Sequence, residues 1–303
     1  MSDPAQIAVT SRSFSRHPVL RAELLERYPN AAFNDEGASL AGDALVDFLQ
    51  AKTKAITALE RIDEEILSRL PELEAISKVG VGLDMLDLDA LERHGVRLAW
   101  TPGTNSRSVS ELALALTLAL LRGIVPAATE LRAGEWRQRK GSTLSGRTVG
   151  IVGFGSVGAD LAGLVAPFGC RILVSDVRPV DVVGVEQVEL DELLAAADVV
   201  SLHLGLDDST RGILDRRRLG LLRPGSVLVN TARGGLVDED ALAELLESDR
   251  IAGAAFDVYA VEPPGDLRLL SLPTFLGTPH IGGSTEEAIL AMGRAAIAGL
   301  DAA

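Results

Sequence analysis

The chain has 303 residues, of which 47% are hydrophobic and 24% charged, and its formal net charge is −14. This length favours two domains, and the composition is ordinary for a globular protein. The acidic balance argues against nucleic acid or an anionic membrane as a partner, although a small anionic substrate would respond only to local cations. The single cysteine, Cys170, excludes an internal disulfide framework and a metal site built from cysteines.

Two segments bear on where in the cell the protein is found. The N-terminal segment "MSDPAQIAVTSR" lacks the basic region and apolar core of a secretory signal. The apolar run from Leu112 to Leu121 has about half the length that spans a bilayer. We therefore expect a cytoplasmic protein.

Residues 7–100 alternate short apolar segments with amphipathic ones, a spacing that predicts a parallel α/β sheet. The predicted strands are "IAVTS", "AITALE", "LEAISKVG" and "VRLAWT". The predicted helices are "PVLRAELLERY", "DEEILSRL" and "LDLDALERHG".

A strongly apolar helix is expected next. The residues Ser108–Val109–Ser110–Glu111 have the serine-x-x-glutamate pattern of a capping box, which predicts a helix start. The sequence that follows, "LALALTLALLR", is apolar on every face, so we expect this helix to be buried on all sides. Its expected surroundings are either the core or a homodimer interface.

A second α/β series begins at Thr148. Its predicted strands are "TVGIVGFG", "RILVSD", "VVSLHL", "GSVLVNTA", "IAGAAFDV" and "TFLGTPH". Its predicted helices are "SVGADLAGLVAPFG", "VELDELLAAAD" and "EDALAELLESD", and a last helix, "STEEAILAMGRAAIAGLDAA", runs to the end of the sequence.

The first strand of this series leads into the glycine pattern G-x-G-x-x-G at Gly153, Gly155 and Gly158. A strand before it, a helix after it and an acid, Asp176, at the end of the next strand are the full context of a dinucleotide-binding turn. The glycines permit a tight turn, close approach of a pyrophosphate and close packing of helix on strand. Asp176 is placed to accept hydrogen bonds from ribose hydroxyls, which favours NAD over NADP, although Arg178 lies nearby.

Arg233 and His280 each follow a predicted strand, where ligands of open α/β sheets bind. A planar guanidinium suits a carboxylate or keto oxygen, and histidine can donate and accept a proton near neutral pH. A carboxylate such as Glu262 would favour the imidazolium form of His280 and orient its ring. These groups suit the interconversion of a 2-keto acid and a 2-hydroxy acid. The other histidines form no cluster with metal-ligand spacing, so we expect no metal.

Six segments in one order resemble the D-isomer-specific 2-hydroxyacid dehydrogenase family, and within it the phosphoglycerate dehydrogenase branch. They are "SKVGVGLDMLDLDAL", "TPGTNSRSVSEL", "GIVGFGSVG", "NTARGGLVDEDAL", "DVYAVEPP" and "TPHIGGSTEEA". The resemblance extends from about Ile66 to Ala288. Because the chain ends soon after the last predicted helix, it resembles a short form without a C-terminal regulatory domain.

The resemblance implies two doubly wound parallel-sheet domains. Residues 1–100 and 283–303 would form a flavodoxin-like substrate domain, and residues 101–282 an inserted Rossmann NAD-binding domain, with the active site in a cleft that closes by hinge motion. The family is typically dimeric, so a homodimer is expected.

The resemblance also implies roles for individual residues. Arg233 would bind the substrate, His280 would be the acid/base, Glu262 its partner, and Asp257 would contact the nicotinamide carboxamide. The expected cofactor-binding residues are Gly153, Gly155, Ser156, Val157, Gly158, Asp176, His203, Thr231, Asp257, His280, Gly282 and Gly283. The expected substrate-binding residues are Lys78, Val79, Gly80, Val81 and Arg233, where backbone amides of the "KVGVG" turn would hold the substrate carboxylate.

Two positions depart from the phosphoglycerate pattern. Thr57 stands where that branch usually carries an arginine, and Leu59 stands at a second position that is sometimes basic. The predicted reaction is NAD-dependent interconversion of a D-2-hydroxy acid and its 2-keto acid, with 3-phosphoglycerate as one substrate. The alternatives are reduction of a small acid such as glyoxylate or hydroxypyruvate, and an NAD(H)-sensing binding protein without catalysis. Formate dehydrogenase chemistry is disfavoured because that branch has glutamine where Glu262 stands.

Overall fold

The chain forms two units, each built on one parallel sheet, in a computed structural model that describes residues 6–265 and 267–301. Within this part of the chain, unit 1 runs to Asn105 and resumes at Gly283, and unit 2 is Ser106–Gly282. Residues 101–105, which the sequence assigned to the second domain, therefore lie with unit 1.

Unit 1 has a five-stranded sheet in the order β2-β1-β3-β4-β5, with every pair parallel. This is the flavodoxin-like strand order that the resemblance implied. Its strands are β1 (Ile7–Val9), β2 (Ala32–Phe33), β3 (Lys54–Thr57), β4 (Ala75–Lys78) and β5 (Arg97–Ala99). Its helices are α1 (Arg12–Arg16), α2 (Pro18–Arg27), α3 (Gly42–Leu49), α4 (Glu64–Ser68), α5 (Leu88–Arg93) and α13 (Glu286–Asp301).

Helix α13 joins unit 1 through close contacts with β4 and α2. The Ser77 hydroxyl donates to the Ala296 carbonyl over 2.7 Å. At Gly293 a Cβ would lie 2.3 Å from Leu20 Cδ1, so a larger residue there would displace the Leu20 side chain. The last helix of the chain is therefore part of the first unit.

Unit 2 has a seven-stranded parallel sheet in the order β12-β11-β10-β9-β6-β7-β8. Its strands are β6 (Thr148–Val152), β7 (Arg171–Ser175), β8 (Val185–Gln187), β9 (Val199–Leu202), β10 (Val227–Asn230), β11 (Gly253–Phe256) and β12 (Phe275–Gly277). Its helices are α6 (Ser106–Arg122), α7 (Ile124–Arg132), α8 (Ser156–Val165), α9 (Leu190–Ala196), α10 (Arg216–Leu219), α11 (Glu239–Glu247) and α12 (Arg268–Ser271), with a 3-10 turn at Ala166–Phe168.

The strand order of unit 2 reverses beside β6, the first strand of this series. Strands β7 and β8 lie on one side of β6, and β9 to β12 lie on the other. Ligands of open α/β sheets bind at such a switch point, outside the carboxyl ends of the strands. Both faces of the sheet are buried: Ile151 packs into one apolar cluster and Val152 into the other. The fold is thus a Rossmann-type doubly wound sheet, as the glycine pattern predicted.

The capping box predicted at Ser108–Glu111 is wrong. Helix α6 begins at Ser106, so both serines lie within the helix. The Ser108 hydroxyl donates to the Gly282 carbonyl over 2.5 Å, and the Ser110 hydroxyl bonds Asp160. Tertiary partners thus replace the local cap that the pattern indicated.

Within a single copy of the chain, helix α6 is not buried on every side. Ala113 and Leu116 are buried, but Ala115 is exposed, and the leucines at 112, 114, 118 and 120 are only partly covered. Among the described residues no single helix has the length and apolar character to cross a membrane. Helices α6 and α7, bent by 63° relative to each other, meet that test only as a pair.

Several short elements were not predicted, among them α1, α3, α7 and β8. The two residues of β2 and three of β8 are too few to show an alternating pattern. Strand β8 forms because Gln187 and its neighbours pair with β7, a long-range contact without a local signal.

Candidate active site

The turn between β6 and α8 has the geometry of a dinucleotide-binding turn. Gly153 has φ +92°, and a Cβ there would lie 2.7 Å from the His203 carbonyl oxygen. At Gly158 a Cβ would lie 2.2 Å from the Gly153 carbonyl oxygen, so this glycine permits the helix to pack on the strand. A Cβ on Gly155 would meet no atom within 4 Å. The backbone there is open, and the binding of a pyrophosphate at this glycine stays a prediction.

Helix α8 begins without a side-chain cap. Gly155 occupies the N-cap position, and no acidic residue lies in the first turn. Ser156 is exposed and Val157 partly exposed at this helix start. Uncapped amides and the positive end of the helix dipole suit an anion such as a pyrophosphate.

Asp176 lies directly after β7 and is tied to the glycine turn. Its carboxylate accepts hydrogen bonds from the Phe154 amide (2.7 Å) and the Arg178 amide (2.8 Å). Burial alone would raise the pKa of Asp176, but these amides and the Arg178 charge outweigh it and lower the pKa. Asp176 also lines a cavity of about 470 Å³, together with Ser175, Gln187, Val188, Glu189 and Glu192. That volume is in the range of small-molecule sites.

His203 and Thr231 follow the ends of β9 and β10. The His203 ring bonds the Ser201 hydroxyl over 2.8 Å, and burial lowers the pKa of His203 to about 4, so the imidazole is neutral. The buried Thr231 hydroxyl oxygen has no hydrogen-bond partner within the described residues. An orphaned buried hydroxyl at a strand end suits a bound group that would complete it. These features fit NAD, with the glycine turn for the pyrophosphate and Asp176 for the ribose.

Arg233 lies in a turn that follows β10. The Asn230 side-chain amide donates from Nδ2 to the Arg233 carbonyl over 2.9 Å, and the Arg233 guanidinium donates to the Ala232 carbonyl over 2.6 Å. At Gly234 a Cβ would lie 1.8 Å from the Tyr259 carbonyl oxygen. The paired glycines therefore mark a close backbone approach, as the sequence indicated, and the approach is to the segment that leads to Glu262.

Glu262 and His280 form a hydrogen-bonded pair. His280 Nδ1 lies 2.7 Å from Glu262 Oε2, and Glu262 Oε1 accepts from the Tyr259 amide over 3.1 Å. The hydrogen bond to Glu262 raises the pKa of His280, while burial opposes it. Burial would raise the pKa of Glu262, but the bonds from His280 and Tyr259 and the nearby charges lower it.

The close contact of Gly234 with the Tyr259 carbonyl brings the segment of Arg233 to the turn of Glu262. The positive charge of Arg233 lowers the pKa of both Glu262 and His280. The negative charge of Asp257 acts on His280 in the opposite direction. The three residues predicted from separate segments are thus brought together at the carboxyl edge of one sheet.

Asp257 is tied by hydrogen bonds to the loop that carries His280. Its carboxylate is 1% exposed and accepts hydrogen bonds from the Thr278 hydroxyl (2.5 Å) and the amides of Ile281 (2.8 Å) and Gly282 (2.7 Å). The Asp257 carbonyl also accepts from the His280 amide over 2.9 Å. This residue therefore holds the loop that carries His280, and its expected contact with the nicotinamide carboxamide stays a prediction.

His280 has a left-handed backbone, with φ +53°. Such a conformation is uncommon for a residue with a side chain and clusters at functional sites. Of the two glycines that follow, Gly282 donates its amide to Asp257, and Gly283 belongs to unit 1.

Two of the predicted substrate-binding residues of unit 1, Lys78 and Val79, already donate hydrogen bonds within the chain. Lys78 is 5% exposed, and its ammonium donates to the carbonyls of Ala58 and Val79. The Val79 amide donates to the Thr57 carbonyl over 2.7 Å, so it is already used. Within the described part of the chain the amides of Gly80 and Val81 donate no hydrogen bond. Direct binding of substrate by Lys78 or the Val79 amide is therefore not supported.

Glu239 was missed by sequence reasoning. Its carboxylate accepts from the Ala260 amide over 2.8 Å, in the turn that leads to Glu262. It lies in the same segment as Arg233, at the first residue of a helix that the sequence predicted without a role for this acid. Among the described residues no group of three or more potential metal ligands is found.

A family model and two named relatives indicate the same family of dehydrogenases. The model of the D-isomer specific 2-hydroxyacid dehydrogenase NAD binding domain matches residues 114–282. A hydroxypyruvate reductase of Thermotoga maritima is 39% identical over 239 residues, which are 77% of this chain and 78% of the relative. A D-3-phosphoglycerate dehydrogenase of Mycobacterium leprae is 40% identical over 245 residues, which are 79% of this chain but only 46% of the relative.

A solved structure from Polaromonas sp. JS6 66, described as a D-isomer specific 2-hydroxyacid dehydrogenase, has 30% sequence identity and a TM-score of 0.90. The superposition covers 98% of this chain and 96% of that one. With the glycine turn, these similarities identify NAD as the cofactor. The chain belongs to the D-isomer-specific 2-hydroxyacid dehydrogenase family.

Proposed function

We propose that the protein interconverts a D-2-hydroxy acid and its 2-keto acid, with Arg233, Glu262 and His280 as the reacting site. The observation that carries this proposal is the 2.7 Å pair of Glu262 and His280, within the electrostatic reach of Arg233. A guanidinium beside a protonated imidazole can hold a carboxylate and donate a proton to a keto oxygen.

In the reductive direction, Arg233 holds the substrate carboxylate through its planar guanidinium. His280 donates the proton on Nε2 to the keto oxygen, because its Nδ1 is held by Glu262. The nicotinamide of NADH, when bound, supplies the hydride to the keto carbon. In the reverse direction Nε2 accepts the hydroxyl proton. Glu262 stabilises the imidazolium in both directions.

We propose a small 2-keto acid without a phosphate, such as hydroxypyruvate or glyoxylate, ahead of 3-phosphohydroxypyruvate. Thr57 is fully buried, and the Lys78 ammonium is held by two carbonyls, so neither supports contact with a phosphate. Leu59, at the second position where a cation was sought, is exposed but apolar. The named relatives act on hydroxypyruvate and on 3-phosphoglycerate at nearly equal identity, so identity alone does not choose between these acids.

We also propose that the protein is a homodimer whose interface includes α7. This helix has nine residues, and none of them is buried within the chain. A helix of this length is too short to be stable alone in water. Its Leu131 is 56% exposed, and the nearby Trp136 is 83% exposed. Residues 124–140 contain four basic and two acidic residues in a chain of net charge −14, which favours a second copy as the partner. The cytoplasmic location stays a prediction.

The first test is NADH oxidation with hydroxypyruvate, glyoxylate, pyruvate and 3-phosphohydroxypyruvate. We expect the highest kcat/KM with an acid that has no phosphate. His280→Ala should lower kcat by about 10²- to 10⁴-fold because it removes the proton donor, while NADH binding persists. Near-normal turnover in this variant would exclude His280 as the acid, and a preference for the phosphorylated acid would overturn the substrate proposal.

The second prediction concerns pH. The pKa of His280 is raised, so keto acid reduction persists above the ordinary histidine range and falls as pH rises through the raised pKa. Glu262→Gln removes the charge but keeps a hydrogen-bond partner, so this fall should move to lower pH. Folding stability follows the same sign: the His280 contribution is full below its unfolded pKa and is lost as pH rises through the folded one.

The matched control for this pH profile is Glu64→Gln. Glu64 forms another Glu–His pair, 2.8 Å from His94, in unit 1. Its substitution should leave the pH dependence of kcat unchanged. An identical profile for wild type and Glu262→Gln would show that Glu262 does not set the proton affinity of the acid.

The third prediction concerns the cofactor. Asp176→Asn keeps a hydrogen-bond acceptor but removes the charge that would repel a 2′-phosphate. The ratio of kcat/KM for NADH over NADPH should fall by roughly tenfold or more, since like charges placed together cost several kcal/mol. Glu186→Gln is the control, because this exposed carboxylate pairs with Arg171. An unchanged ratio in Asp176→Asn would mean that other groups distinguish the two cofactors.

The fourth prediction concerns assembly, measured by sedimentation. The wild type should be a dimer, and Leu131→Glu should shift it towards monomer because a charge would be buried at the interface. Val183→Glu, at an equally apolar but fully exposed position, should remain dimeric. A monomeric wild type, or a Leu131→Glu variant that stays dimeric, would contradict the proposed interface.

A further inference from the structure

The turn that carries Glu262 lies at the surface and has little apolar packing. Val261 is 69% exposed, and both Ala260 and Glu262 are exposed. Burial of apolar area therefore contributes little to the position of this turn. Hydrogen bonds must hold Glu262 where it meets His280.

Two carboxylates accept the amides of this turn. Glu262 itself accepts from the Tyr259 amide over 3.1 Å. Glu239, the first residue of α11, accepts from the Ala260 amide over 2.8 Å. The second bond connects the turn to a different element of unit 2.

The backbone of the Glu262 turn also lies close to the segment that carries Arg233. At Gly234 a Cβ would lie 1.8 Å from the Tyr259 carbonyl oxygen and 2.5 Å from the Ala260 nitrogen. Gly234 neighbours Arg233, and Glu239 follows five residues later in the same segment. The segment of Arg233 and the turn of Glu262 thus meet twice, once through van der Waals contact and once through the carboxylate of Glu239.

We propose that Glu239 is a positioning residue, which holds the Ala260 amide and thereby keeps Glu262 within hydrogen-bond distance of His280. This inference rests on the proposed function for its effect on turnover. It assigns Glu239 no contact with substrate or cofactor. Its effect on the titration of His280 passes through Glu262.

The charged groups that shift the pKa of His280 most are Glu262, Asp257 and Arg233. Glu239 is not among them; its charge acts on Tyr259. A substitution of Glu239 should therefore change the titration of His280 only by displacing Glu262. In a Glu262→Gln background the same substitution should have no further effect.

The experiment is an NMR titration of the histidine rings in the protein without added cofactor. The chain has four histidines, and the His280 signal is identified by its loss in His280→Ala. Glu239→Ala should lower the pKa of His280 towards that of Glu262→Gln, and Glu239→Gln, which keeps an acceptor oxygen, should restore the wild-type titration. If Glu239→Ala does not fold, Glu239→Asp, one methylene shorter, takes its place.

Asp240→Ala is the matched control. Asp240 lies beside Glu239 in the first turn of α11 and provides the same charge at the helix start, but it pairs with Arg268. Its loss should destabilise the helix in the same way and leave the His280 titration unchanged. An effect as large as that of Glu239→Ala would overturn the proposal.

Turnover gives a second readout. In Glu239→Ala, kcat should fall about tenfold, as expected for loss of a hydrogen bond to a charged group, and the pH profile should move to lower pH. A wild-type titration and profile in Glu239→Ala, or additive effects with Glu262→Gln, would overturn the inference. Unchanged turnover in His280→Ala would overturn the proposed function instead, and the NMR comparison would still test Glu239.

Discussion

The buried carboxylate of Asp257 accepts hydrogen bonds from the Thr278 hydroxyl and from the amides of Ile281 and Gly282. A buried charge is costly unless hydrogen bonds compensate it, and here three donors do so. The same bonds fix the loop after β12 and hold His280 in its left-handed conformation. Without them this loop would lose the geometry that brings the imidazole to Glu262, because a strained backbone persists only when its surroundings determine it.

A second constraint is the parallel sheet itself. Each strand of a parallel sheet ends at the same edge, so residues far apart in sequence are gathered when each follows a strand directly. Gly153, Asp176, His203, Thr231 and Asp257 follow β6, β7, β9, β10 and β11 in this way. The cofactor residues and the residues around His280 are therefore brought to one edge of unit 2 by the same architecture.

Sequence patterns predicted which residues follow the strand ends, but they did not predict the hydrogen-bond partners of several side chains. The glycine spacing, the acid after the second strand, and Arg233 and His280 after later strands depend on chain order and strand ends, which local patterns reveal. The family resemblance implied that Lys78 binds the substrate. Instead its ammonium is held by carbonyls of neighbouring strand ends, and only the packed sheet of unit 1 shows this. The serine pattern at Ser108 failed for a similar reason, because Gly282 and Asp160 provide distant partners.

The sequence by itself determined the two-sheet organisation and the dinucleotide turn, and it indicated Arg233, Glu262 and His280 as candidate site residues, because hydrophobic periodicity, glycine spacing and short motifs are local properties of the chain. The tertiary structure decided which polar groups meet. It pairs Glu262 with His280, makes Asp257 the support of the His280 loop, and brings Glu239 to the turn before Glu262. Hydrogen bonds form over about 3 Å between segments separated by many residues, and only the packing of helices and strands sets those distances.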